Sequence, residues 1–450
     1  MRISQFLGIN KPQRELDFVD IEVDGDTPLF LDPFFLSRRR DAWSFEANST
    51  IQSFFQHVID LIRNDRLKEA KDLFNNLHEP SETHLGLSKG RPEGKGIGKT
   101  DTEKIFKRIL KSNAIQSGLV EDLQDSSIFV ERIGKDKLSD MTTNIIRKHL
   151  IDYTKNQCNL WDVTLTKDVP SGVFWNKENL LFENELLEML VVNNKKLLLV
   201  PKVIVSYKFS YTPEKYYQHF VLNFLQNEHL RLNSSLVQTR KTKKGPISKF
   251  VTKKSIKEKE APYTREFLRA FTRRNPKVLN KFKEEISTKL RPLDLHEFEN
   301  FNTKSFCSFL KKELQSIGLG NDSANEYHNY IIGALDFLFY PNLICPRKET
   351  PIHSGRKKID LTFDNAAKDG FFFHLHVAKK IPSQYIFIEC KNYTADPKNP
   401  ELDQLSGRFS PNRGRFGMLL CRQIKNEALF LERCADTYHD DRGLIVPITD

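Results

Sequence analysis

Three residues late in the chain, Asp360, Glu389 and Lys391, have the types and spacing for metal-assisted hydrolysis. The apolar run Tyr385–Lys391 reads as a β-strand, and period two sets Glu389 and Lys391 together on one face, with Ile386, Ile388 and Cys390 on the other. Asp360 lies in a second alternating run, Lys357–Phe363, opposite to Ile359, Leu361 and Phe363. Two converging carboxylates, with the backbone carbonyl of Cys390 as a third oxygen, form a hard-oxygen site suited to Mg²⁺ or Mn²⁺. Such an ion lowers the pKa of a bound water and stabilises phosphate charge, while Lys391 orients the water or helps deprotonate it. The nearby Asp364, just past that run, leaves open that it is the ligand; the clean alternation around Asp360 favours Asp360. The bland alternative is an edge strand whose Glu and Lys simply face water.

These side chains need elements to hold them. Ala324–Phe339 carries Tyr327, Ile331, Ala334, Leu335 and Leu338 at helical spacing, and Pro341 stops it. Leu343–Thr350 reads as a strand, Asn365–Gly370 as a turn and Phe371–Val377 as another strand. On that strand His374 and His376 share a face and read as surface histidines ahead of metal ligands. The basic and aromatic stretch Arg408–Phe416 presents Arg408, Arg413 and Arg415 for contacts to a phosphate backbone.

The order Ile359-Asp360 followed by Ile388-Glu389-Cys390-Lys391-Asn392-Tyr393 resembles the PD-(D/E)xK superfamily, the restriction endonuclease-like nucleases, and within it the Mrr and RecB-type branch. The resemblance covers roughly residues 320–450. It implies a mixed sheet flanked by helices, with Asp360 and Glu389 as metal ligands and Lys391 as the water-orienting group. By the same resemblance Gln404, in Asp403-Gln404-Leu405 after the Lys, supports substrate or water. Glu326, on the preceding helix, matches an acidic residue that some members carry, and Gly417–Cys421 fits the strand that follows the Gln helix. Ile359 stands where the family name has Pro, and the interval from Asp360 to Glu389 is long. The resemblance places DNA ahead of RNA as substrate, and the architecture suits bacterial defence against phage or foreign DNA. Double-strand cutting needs two active sites, which suits a homodimer, and an unidentified activator fits the large N-terminal region.

The 450 residues suit two or three domains. A hydrophobic share of 39% with 34 Phe supports sizeable cores, and a formal net charge of +11 favours phosphate-bearing partners, chiefly nucleic acid. Six scattered cysteines without Cys-x-x-Cys spacing read as reduced and cytoplasmic. No run approaches the roughly 18 uncharged apolar residues of a membrane span.

In the N-terminal part, Leu16–Val23 and Leu29–Leu31 around Asp24-Gly25-Asp26 read as a hairpin. Ile51–Leu77 reads as a helix with a break near Asn64, Asp140–Tyr153 as a helix capped by Ser139 or Asp140, and Lys196–Tyr207 as a strand. The polar stretch Gly134–Asn144 reads as a binding loop entering a helix or as a capped helix start. Gly94–Thr100 approaches a phosphate-binding loop, but Glu93 stands where its first Gly belongs; Glu93-Gly94-Lys95 repeats Glu-x-Lys without a strand. Between Arg240 and Glu260, nine Lys or Arg oppose two acids, as in a linker or basic arm able to track nucleic acid. Tyr263–Leu290 reads as helical, and Phe301–Leu314 as the first helix of a new domain. The expectation is an α/β (mixed α+β) multidomain protein: residues 1–235 for recognition or regulation, 236–300 as basic linker and helix, and 301–450 as the nuclease-like domain. The competing expectation is a non-catalytic nucleic-acid-binding or effector-sensing protein on the same fold.

Overall fold

The computed structural model describes residues 1–86, 99–242, 245–352 and 356–450. It is a mixed α/β structure with several small sheets and one five-stranded mixed sheet near the C-terminus. Most of the Gly94–Thr100 motif and all of Glu93-Gly94-Lys95 lie outside the described residues. No helix among the described residues is long and apolar enough to cross a membrane.

The N-terminal region is built on the helix Ala42–Arg63, capped by Asp41, whose carboxylate accepts from Ser44 N. Phe54, Phe55, Val58, Ile59 and Ile62 bury its apolar face, and Asn64 ends it before a second helix, Leu67–Phe74. The expected hairpin near the start does not form. Leu16, Phe18, Val19 and Ile21 are all buried, and Val19 N donates to Val200 O at 2.9 Å. Phe30–Leu31 pairs instead with Val205–Ser206. The expected strand Lys196–Tyr207 is broken, because Pro201 cannot donate to a ladder and leads into a tight turn, Lys202–Ile204. The single helix expected over Asp140–Tyr153 is two, Lys135–Ile145 and Arg147–Leu160, and the first is capped at Gly134. Ser139 accepts from Leu31 N, while Thr142 and Thr143 donate to carbonyls one turn back, so the hydroxyl cluster is spent internally.

The basic segment after residue 236 is folded. It forms the hairpin Gln238–Thr242 with Gly245–Phe250, then the helices Lys253–Lys259, Arg265–Arg274 and Pro276–Lys289. Ile256, Leu268, Phe271 and Phe282 share one core with the N-terminal helices.

The C-terminal region begins with α1 (Thr303–Ser316) and α2 (Ala324–Phe339). Then follow β1 (Leu343–Ile352), β2 (Lys357–Asn365), β3 (Tyr385–Lys391), α3 (Asn399–Ser406), β4 (Phe416–Cys421), α4 (Glu427–His439) and β5 (Leu444–Thr449). The strands lie in chain order, β1 to β3 antiparallel and β3 to β5 parallel. Helices α1 and α2 cover one face through Phe306, Leu310, Tyr327, Ile331 and Leu335. Helices α3 and α4 cover the other through Leu402, Leu405, Phe430 and Cys434. Burial on both faces explains the unbroken apolar run of β4. Each fully buried Leu or Phe contributes about 1.5–3 kcal/mol relative to exposure.

Two sequence expectations fail in this region. Phe371–Val377 is not a strand but a helical turn, Gly370–Phe373, continued by a π turn, His374–Ala378. Phe372 and Leu375, three apart, are its buried anchors, whereas Phe371 and Val377 are exposed. His374 and His376 therefore share no strand face; His376 Nδ1 accepts from Ser383 N at 3.0 Å. Ile359 also leaves the face of Leu361 and Phe363 and joins the opposite core with Phe387 and Leu405.

Candidate active site

The β2–β3 ladder runs from Asp364 opposite Tyr385 to Leu361 opposite Ile388, and there it stops. One further step would set Asp360 against Glu389. β3 itself continues to Lys391, held by β4, while β2 stays paired with β1 as far as Lys357, so β2 parts from β3 where the acidic residues stand. The Cys390 N–H, next in line for the ladder, donates to Asp360 Oδ2 at 3.3 Å. Strand divergence thus sets Asp360 close enough for its charge to act on Glu389. Asp360 is half-buried, and among the described residues no donor contacts its other oxygen.

Glu389 is fully buried. Its Oε1 accepts from Lys391 Nζ at 2.7 Å and its Oε2 from Arg408 Nη1. Lys391 also reaches Gln404 Oε1 at 3.5 Å and lies over the Tyr393 ring at 5.9 Å. Helix α3 holds Gln404 there because Leu402 and Leu405 anchor it on the sheet, and Arg442 ties it down through Asp403 and Ser406 at 2.6 and 2.8 Å. Burial raises the Glu389 pKa and the neighbouring Asp360 charge raises it further, against the pull of Lys391 and Arg408. Burial alone would lower Lys391, but the charge and hydrogen bond of Glu389 outweigh it, and the net shift is upward. Lys391 therefore stays an ammonium at neutral pH: a donor and a fixed charge.

Behind Lys391, Asn392 donates to the carbonyls of Gly318 and Gly320 at 2.9 and 2.8 Å, and Arg422 donates to Asn392 Oδ1 at 3.0 Å. These bonds fix the end of β3 against the turn that opens α2.

The structure thus brings together Asp360, Glu389, Lys391 and Gln404. Asp364 is excluded from the site: it is fully buried, pairs with Arg347 at 2.6 Å and accepts from Trp43 N at 3.1 Å. Glu326 is exposed in the first turn of α2 and, among the described residues, forms no hydrogen bond or ion pair. The residue of α2 that feels Asp360 is His328, whose Nε2 is buried without a hydrogen-bond partner among the described residues. Burial lowers its pKa and the Asp360 charge opposes the shift. The sequence held this signal: His328 flanks the buried stripe of Ile331, Ile332 and Leu335, and Glu326, two residues away, points elsewhere. Of the three arginines expected at a phosphate backbone, Arg408 is instead buried against Glu389. Arg413 donates to the Arg408 carbonyl at 3.4 Å, and Arg415 pairs with Asp441 at 2.8 Å.

Among the described residues no three His, Cys, Asp or Glu side chains gather as a metal-binding group. The donor set still fits one hard cation: two carboxylates whose mutual repulsion raises Glu389, an open oxygen on Asp360, and the Cys390 carbonyl between Glu389 and Lys391.

Residues 8–212 match a family described as a domain of unknown function (DUF8370), a span that ends before this site. No curated protein and no solved structure matches the chain.

Proposed function

We propose that residues 301–450 form a metal-dependent nuclease that hydrolyses phosphodiester bonds, with DNA ahead of RNA as substrate. The observation that carries this reading is the departure of β2 at Asp360, directly before Glu389 and Lys391 on β3. The resemblance of Asp360, Glu389 and Lys391 to the PD-(D/E)xK pattern supports it, as does the order of helix, three strands, helix and strand around them.

Asp360, Glu389 and the Cys390 carbonyl would hold Mg²⁺ or Mn²⁺. Bound there, the ion would lower the pKa of a water and offset charge on the phosphate. Lys391 keeps its proton and donates to the attacking water or to a phosphate oxygen. Gln404 limits the swing of Lys391, and Arg408 holds Glu389 in place. A cytoplasmic setting, a homodimer for double-strand cutting, an activator acting through the N-terminal region and a role in defence against foreign DNA belong to the same reading.

A second reading draws on one fact: both oxygens of Glu389 already face protein cations. In a non-catalytic nucleic-acid-binding or effector-sensing protein, this cluster is structural. Incubation of the full chain with plasmid, linear duplex, single-stranded DNA and RNA in Mg²⁺, Mn²⁺ or EDTA separates the two. The nuclease reading expects metal-dependent cutting that Glu389→Gln abolishes. Tight, salt-sensitive binding with no cutting, indifferent to EDTA, would replace it with the second.

A further inference from the structure

Outside the C-terminal domain, a groove of about 780 Å³ runs between the helical segment 213–232 and the helix Pro276–Lys289. Its first wall presents Lys215, His219, Asn223 and Asn227, each four residues after the last. Its second wall presents Lys277, Lys281, Glu285 and Lys289 at the same interval. Four residues of helix advance about 6 Å, so each wall carries a row of donors at regular steps. Phe220, Val278 and Ile286 form the apolar floor. Among the described residues of the lining, Glu285 is the only carboxylate, and Lys289 pairs with it at 2.7 Å. Lys215, Lys277 and Lys281 are exposed.

The other large grooves lack this imbalance. In the one between residues 2–20 and 298–309, Lys11 is held by Glu15 and Glu313, and Arg14 by Glu299. In the one that shares Lys289, Arg291 pairs with Glu297 at 2.8 Å and Asp32 joins Lys208 in the lining. Among these three grooves the charge excess is greatest in the one between segment 213–232 and Pro276–Lys289, where Lys, Asn and His N–H groups suit phosphate oxygens and Glu285 is the one acid of the lining. A π turn, Tyr216–Val221, interrupts the first wall, a feature frequent at functional sites.

We infer that this groove is a binding site for the phosphodiester backbone of a nucleic acid strand, separate from the proposed catalytic centre. Contacts of this kind carry affinity without sequence preference and release counterions. The inference goes beyond the nuclease reading and does not need it, since binding is measured without metal and in a background that cannot cut.

The test is fluorescence anisotropy of labelled single-stranded and duplex DNA and RNA against the full chain carrying Lys391→Ala, in EDTA, over a salt series. Lys277→Gln with Lys281→Gln should weaken binding about tenfold at low salt and flatten the log K against log salt slope by about 2. Lys215→Glu, on the facing wall, should weaken it as well. Lys215, Lys277 and Lys281 are all exposed, and unchanged unfolding midpoints confirm folding. Unaltered affinity and slope would overturn the site. Equal loss from Lys311→Gln with Lys312→Gln, exposed on α1, would reduce it to overall charge. Equal competition by polyglutamate would reassign the groove to acidic polypeptides.

Discussion

Two lysine–carboxylate pairs lie inside this protein at nearly the same distance. Lys202 meets Asp336 at 2.6 Å, and Lys391 meets Glu389 at 2.7 Å. The first is sealed. Lys202 and Asp336 are 0% and 1% exposed, Lys202 also donates to Leu16 O, and Asp17 beside them accepts from Tyr153 and Cys345 N. That cluster joins the N-terminal region to α2 and β1. The second opens outward: Lys391 is 12% exposed, Asp360 is half-buried with one oxygen uncontacted among the described residues, and Tyr393 lies partly in solvent. Among the described residues both clusters leave carboxylate oxygens without a partner, Asp17 Oδ1 and Asp336 Oδ1 in the first and one Asp360 oxygen in the second; the difference is that the first are sealed from solvent, whereas Asp360 stands half-exposed where β2 parts from β3.

The comparison breaks most visibly at Lys202. Lys202→Met leaves Asp336 buried and unpaired beside Asp17 and should cost about 3–5 kcal/mol in denaturant unfolding. Adding Asp336→Leu should recover much of that loss. Lys391→Ala should change stability by about 1 kcal/mol or less, since Arg408 still holds Glu389. Comparable losses at both lysines would erase the distinction.

The next effect is on pH. Burial and the nearby Asp336 charge push the Asp17 pKa up to about 7. A carboxyl raised above its unfolded value of 3.8 keeps its proton longer in the native state, so stability should fall as pH rises from that value through about 7. Asp17→Asn should flatten this slope, by about 4 kcal/mol between pH 4 and 8. An unchanged slope would mean that Asp17 is not the titrating group of the joint.

The smallest effect sharpens the open site. Mg²⁺ at ten times its Kd should stabilise the chain by about 1.4 kcal/mol, seen as a rise in Tm. Asp360→Asn should abolish that rise, whereas Asp364→Asn should leave the metal effect in place despite its own loss of stability.

The two clusters also differ in how far the sequence exposes them. Period two alone gathers Glu389 with Lys391, whereas around Asp360 the expected alternation breaks at Ile359, and the end of the β2–β3 ladder is what sets Asp360 beside them. The joint is invisible to such reading, because Lys202 and Asp336 are 134 residues apart and meet only through tertiary packing. The same holds for Arg408 beneath Glu389 and for Leu16–Ile21, whose partner is Val200 and not its own hairpin. Phe371–Val377 misleads for another reason. Its aromatic and β-branched composition favours a strand, yet Phe372 and Leu375 find the core at helical spacing. Glu326 shows the limit of transfer by resemblance: the helix Ala324–Phe339 forms, but Glu326 is exposed and the flank that feels Asp360 carries His328.

The most direct measurement is single-turnover cleavage of duplex DNA in Mg²⁺ by the wild type and Lys391→Ala, with unfolding curves on the same samples. The proposed site predicts a rate loss of about 100-fold or more at nearly unchanged stability. Cleavage retained in a folded Lys391→Ala protein would contradict it.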